Sequence, residues 1–125
     1  MGLDGIREES LIDGVRYVLP PREGGGLLKL VRAEVVVTDS ELTAVERIGP
    51  LRFHNRRSAA QVRRLRVGPA LVHSQTSGGG TVHHAIHAEG DGMDPLQLAP
   101  GYPRALLVSL AQRLAERIDV ETAGL

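Results

Sequence analysis

Thr38-Asp39-Ser40-Glu41-Leu42-Thr43-Ala44-Val45-Glu46-Arg47-Ile48 decides how this chain is read. Thr38 followed three residues later by Glu41 matches a capping box, in which the two side chains satisfy free N–H groups at a helix start. Leu42, Val45 and Ile48 then fall at helical spacing, and Gly49-Pro50 ends the run. The pattern predicts a short helix over 39–48. The runner-up is a strand from Glu41 to Ile48.

On the N-terminal side, Gly14 to Leu19 is short, apolar and β-branched, and Pro20-Pro21 stop it. Glu23-Gly24-Gly25-Gly26 reads as a turn, and Leu27 to Val37 is the strongest strand in the chain. Together they predict an antiparallel hairpin over about 14–37.

On the C-terminal side, Leu51-Arg52-Phe53-His54 suits a short strand. Ser58 with Gln61 repeats the cap signature, and Val62 and Leu65 give a thin apolar stripe that Gly68-Pro69 closes. This predicts a second short helix over 58–67. Its last turn would hold Arg63, Arg64 and Arg66, where the helix dipole favours cations. Pro69 to Thr76 and Thr81 to Ala88 read as two strands joined by Ser77-Gly78-Gly79-Gly80, a second hairpin over about 69–88. Gly90 to Pro103 reads as a loop in which Asp94-Pro95 starts one helical turn. Pro103 opens the clearest helix: Leu107, Leu110, Ala111, Leu114 and Ile118 share one side, and Arg104, Gln112, Arg113, Glu116 and Arg117 the other. The expected fold is one α+β domain over 1–125: two antiparallel hairpins, two short helices between them, and the C-terminal amphipathic helix packed on the sheet.

Composition excludes several classes. The chain has 125 residues and no cysteine, so disulfides, thiolate metal sites and cysteine nucleophiles are out. Tyr17, Phe53 and Tyr102 are its only aromatics, which leaves few platforms for stacking unpaired bases. No run approaches the ~20 apolar residues of a membrane span. The first residues lack the basic and apolar regions of a signal peptide. The expectation is a soluble, cytoplasmic protein with no membrane partner.

Charge is segregated. From Arg47 to Ala88 there is no Asp or Glu, and this block holds seven of the fourteen arginines and all five histidines. The flanks are acidic and the whole chain is neutral. A one-sign segment gathers oppositely charged partners. Guanidinium forks match phosphates and carboxylates in bidentate fashion. Arg52, Arg56, Arg57, Arg63, Arg64 and Arg66 are therefore the candidate ligand-binding side chains, with the Gly78-Gly79-Gly80 backbone as a further anion cradle. A symmetric hairpin centred on Gly78-Gly79 would set His73 opposite His84, a pair suited to acid and base work near neutral pH. A one-residue change of register would destroy that pairing.

No metal site is assigned. His83 and His87 could share an ion on a helix but not on a strand, and the pattern His-Glu-x-x-His is absent. Nor does any sequence pattern name a cofactor. His73-Ser74 lacks the turn and carboxylate that serine catalysis needs.

The leading expectation is a protein that binds or processes an anionic small molecule through this segment. Arg56 and Arg57 would hold the anion, and His73 or His84 would handle a proton. The second is homo- or hetero-oligomeric assembly, with the basic block meeting acidic flanks of a neighbour. An apolar sheet face left over by one helix would favour a homo-oligomer. The third, not favoured, is duplex nucleic acid, because two helices followed by a Gly-tipped hairpin loosely follow the helix-turn-helix-plus-wing layout. Against all three stands the possibility that the arginines simply pair with the chain's own acids.

Overall fold

The computed structural model describes residues 5–20, 31–48, 50–70 and 84–125. Among them the chain forms two sheets and one α-helix. Strands β1 (Arg7–Ser10), β2 (Gly14–Val18), β3 (Val31–Thr38), β4 (Glu41–Ile48) and β5 (Leu51–Ser58) make an antiparallel meander in sequence order. Strands β6 (Arg64–Pro69), β7 (His84–Glu89), β8 (Leu96–Leu98) and β9 (Glu121–Ala123) form the second sheet in the order β8-β7-β6-β9. Only β9 runs parallel to its neighbour, because α1 (Arg104–Ile118) carries the chain back across the sheet before it.

The α+β class, the hairpin over 14–37 and the C-terminal helix match expectation. β2 pairs with β3 from Gly14 opposite Thr38 to Val18 opposite Glu34. Gly14 is required there, since a Cβ would sit 1.9 Å from the Val37 carbonyl oxygen.

Both short helices are corrected. Residues 41–48 are the strand β4, paired on both edges. The cap chemistry of Thr38 is real but serves a hairpin turn: its Oγ1 accepts the N–H of Glu41 at 3.0 Å and of Ser40 at 3.3 Å. A Thr that gathers N–H groups two and three residues on caps a helix or a tight turn equally well. The outcome is decided beyond the turn, where Leu42 enters the core opposite Val37. The second helix fails for a similar reason. Ser58 makes no side-chain cap bond, and only a 3-10 turn forms at Ala59–Gln61. The chain then extends as β6, with Leu65 and Val67 buried and Arg64 and Arg66 turned outward. Asp94-Pro95 starts no helical turn; Leu96 and Leu98 enter the core as β8 instead.

The second hairpin has its two strands but not the expected bounds. β6 and β7 are antiparallel, but β6 begins at Arg64, before the expected start at 69. Residues 71–83 lie outside the described residues, and His73 and Gly78-Gly79-Gly80 lie there with them. Pro69 stands opposite His84, so the observed register does not place His84 opposite His73.

One core joins both sheets. The inner face of the meander supplies Val15, Tyr17, Ala33, Val35, Val37 and Leu42. The second sheet supplies Leu65, Val67, Ile86, Ala88, Leu96 and Leu98, and α1 adds Leu107, Leu110, Ala111 and Leu114. Most of the meander's inner face is thus covered within the chain, except at Leu51 and Phe53 on β5, which stay exposed. Tyr102 ties the layers together at its hydroxyl, which accepts the Ala33 N–H at 3.2 Å and donates to the Pro20 carbonyl at 2.8 Å. Leu110 is fully buried, so Leu110→Ala should cost ~2–5 kcal/mol in urea unfolding, whereas exposed Gln112→Ala should stay within about 0.5 kcal/mol.

Candidate anion-binding site

Alternation along a strand sends successive side chains to opposite faces. With Leu42 pointing inward, the ladder register assigns the outer face of the first sheet residue by residue. It holds Arg7, Arg16, Arg32, Arg47, Arg52 and Arg56 against Glu9, Glu34 and Glu41. Among the described residues six guanidiniums meet three carboxylates, an excess of positive charge on this face.

The arginines are not spread evenly. Arg32 lies directly opposite Arg47, and Arg47 directly opposite Arg52. Three guanidinium side chains therefore stand side by side across β3, β4 and β5. Paired Cβ atoms in such a row are ~4.5–5.5 Å apart, and like charges in that arrangement are destabilising. Only Arg47 has a carboxylate, with its Nε 3.3 Å from Glu34 Oε2. Arg32 and Arg52 are exposed and have no carboxylate partner among the described residues.

Glu34 is the anchor beneath this face. It is 5% exposed although it points away from the main core. Arg16 reaches its other oxygen, Nε to Oε1 at 3.6 Å. A buried carboxylate needs such partners, and in return it holds the two guanidiniums close to the sheet. Arg16 also reaches Glu9 Oε1 at 3.3 Å.

The expected ligand residues divide among three places. Arg52 and Arg56 lie on the outer face; Arg56 is 3.8 Å from Glu41 and its side chain is 67% exposed. Arg57 lies on the inner side of β5, donating from Nε to the Asp94 carbonyl at 3.1 Å. Arg63, Arg64 and Arg66 belong to the second sheet or its approach. Arg63 donates to the Ala60 carbonyl and lines a shallow groove with Asp119 and Glu121. Arg64 and Arg66 both fork onto Glu89: Arg64 onto Oε1 at 3.1 and 2.7 Å, Arg66 onto Oε2 at 3.2 and 3.0 Å. Those two arginines are matched by the chain's own acid, as the plainest reading of the charge pattern allows.

His84 is half-buried at the start of β7. His87 is 2% exposed, with Nε2 2.8 Å from the Pro69 carbonyl oxygen, a structural bond. No group of three potential metal ligands occurs among the described residues.

Arg32 and Arg47 join Arg52 in this row although nothing in the linear pattern groups them. The signal lay in the strand register, since numbers that look unrelated (32, 47, 52) become neighbours only in a meander. A second feature is likewise absent from the linear pattern. Ala44, Glu46, Phe53, Asn55, Arg57, Leu96, Gln97 and the two prolines 95 and 100 line a 330 Å³ cleft between β4–β5 and β8.

Comparison with protein-family models, with curated proteins and with solved structures finds no match to this chain.

The double fork lowers the Glu89 carboxyl below its ordinary value, first through the Arg66 hydrogen bonds and next through those of Arg64, against the opposing effect of burial. A folded-state value below the unfolded one gives stability that is present above the unfolded value and is lost as pH falls through the folded one. Glu89→Gln should therefore cost ~1 kcal/mol at pH 7, and the gap to wild type should close in acid. Thermal unfolding at a series of pH values reads both effects; a gap that stays constant in acid would contradict the assignment.

Proposed function

We propose that this chain is a recognition module that binds an anionic ligand carrying clustered negative charge on the outer face of its first sheet. Arg32, Arg47 and Arg52 provide the contact surface, with Arg56 beside them. The observation that carries the reading is the like-charge row, in which Glu34 pairs with Arg47 alone and Arg32 and Arg52 have no carboxylate among the described residues. A fold gains nothing by placing three guanidiniums side by side, whereas a dianion or polyanion laid across them satisfies several N–H donors at once. Glu34 supports the reading because it pins Arg47 and Arg16 near the surface, so less side-chain freedom is lost on binding.

This keeps the anionic ligand expected from the sequence and moves its contacts. Arg52 and Arg56 remain, Arg32 and Arg47 join them, and Arg64 and Arg66 are committed to Glu89. His84 has Pro69 as its cross-strand neighbour among the described residues, so it is left out of this reading. The two helices that the helix-turn-helix layout needed are instead strand β4 and a 3-10 turn that runs into β6.

Pyrophosphate is a suitable probe. Titration calorimetry at low ionic strength should show saturable binding that weakens with added salt as the charges are screened. Arg52→Ala should weaken it by about tenfold or more, since hydrogen bonds to charged groups are worth ~1.5–3 kcal/mol. Arg104→Ala, whose guanidinium caps the Gly124 carbonyl far from the row, should leave it unchanged. If Arg52→Ala binds pyrophosphate as wild type does, the reading is wrong.

A further inference from the structure

The last strand of the first sheet has no partner on its far side among the described residues. β5 is eight residues long and exposed over nearly all of its length. Long free edges are templates for another strand, and proteins normally shorten, bend or cover them.

The hydrogen-bond phase of that edge follows from one contact. Ala59 donates to the Ser40 carbonyl at 2.9 Å, continuing the ladder one step past the Glu41–Ser58 pair. Bonded and outward-facing residues alternate along an antiparallel strand. Leu51, Phe53, Asn55 and Arg57 therefore bond to β4, while Arg52, His54, Arg56 and Ser58 turn their N–H and C=O groups to the free side. Arg57 Nη1 donates to the Arg56 carbonyl at 2.9 Å, which agrees with that carbonyl facing outward.

The two faces of this edge differ in chemistry. Arg52, His54 and Arg56 project to the outer face. Leu51 and Phe53 project to the inner face, 58% and 53% exposed, with Phe53 at the cleft shared with β8. A strand added to β5 would set every second side chain beside the cations and the others beside Leu51 and Phe53.

We propose that the β5 edge takes up an extended segment of a partner protein by strand addition, and that the segment alternates acidic with apolar residues. The charge pattern selects this occupant over a second copy of the chain. Pairing β5 with itself about His54 would put Arg52 against Arg56, twice, and His54 against His54, all on one face. Like charges directly opposite disfavour that dimer, whereas carboxylates at those positions are favoured. The backbone provides affinity and the alternating side chains provide specificity. The proposal shares Arg52 and Arg56 with the sheet-face reading but rests on the strand's free backbone edge, which pyrophosphate binding does not use.

Its test uses an acetylated Glu-Val repeat peptide of seven residues and the intact protein. Wild type should bind the peptide at low salt and not bind a Glu-Glu-Val-Val block peptide of like composition. Bound peptide should slow hydrogen exchange at the amides of Arg52, His54 and Arg56 and leave those of Phe53 and Asn55, already bonded to β4, unchanged. His54→Pro removes an N–H that faces outward and is tolerated at such an edge position. It should weaken peptide binding by at least about tenfold relative to His54→Ala, because it deletes one strand-to-strand bond and places a ring in the path of the incoming strand. Equal affinity of the two variants would overturn the proposal. So would peptide binding without protection of the outward amides, which wild-type exchange reads even if His54→Pro does not fold. Sedimentation showing a β5-paired dimer would assign the edge to a second copy and overturn it as well. Retained pyrophosphate binding with no peptide binding would reject the edge while leaving the sheet-face reading intact.

Discussion

Strand β4 hydrogen-bonds along its whole length to β3 on one side and to β5 on the other. Because side chains alternate with period two, that ladder admits one assignment of inside and outside for all three strands. Leu42 goes to the core opposite Val37, so Arg47 must go out, between Arg32 and Arg52. A slip of one residue would bury arginines and expose leucine and valine together. The same constraint therefore builds the core and lines up the cations. Arg47 is held in the row by Glu34, one strand away and nearly buried.

Charge segregation along the chain has two separate outcomes in space. At the second sheet the basic block meets an acid from its own flank, and Arg64 and Arg66 close on both oxygens of Glu89. At the first sheet the match is incomplete. Glu34 and Glu41 each lie near a guanidinium, but Arg32 and Arg52 have no carboxylate among the described residues. Balance over the whole chain hides this local excess, and a net charge of zero is compatible with a face of one predominant sign.

The two sheets and α1 share one core, so the meander is braced from behind while its last strand is not braced from the side. Tyr102 contributes to that bracing. Its hydroxyl is satisfied by the chain at both Ala33 and Pro20, which fixes the approach to α1 against the first sheet. The edge at β5 is left open by the same architecture, and a cleft lined by Phe53, Leu96 and Gln97 lies between it and β8. Arg52, His54 and Arg56 place cationic and titratable side chains along that edge, a common way of guarding a free strand.

The sequence by itself determined the class, the C-terminal helix and the hairpin over 14–37. In these places local pattern and tertiary need agree: Leu107, Leu110 and Leu114 bury one helical face, and Val35 and Val37 alternate into the core. It also marked Arg52 and Arg56 as candidate anion contacts through the acid-free block. Tertiary structure decided residues 41–48 and 58–67. Thr38 and its two N–H contacts serve a turn as readily as a helix start, and the available partners on both edges of β4 settled the choice. Tertiary structure alone also placed Arg32 and Arg47 beside Arg52. Cross-strand neighbours depend on register, and register depends on which residues the rest of the molecule must bury.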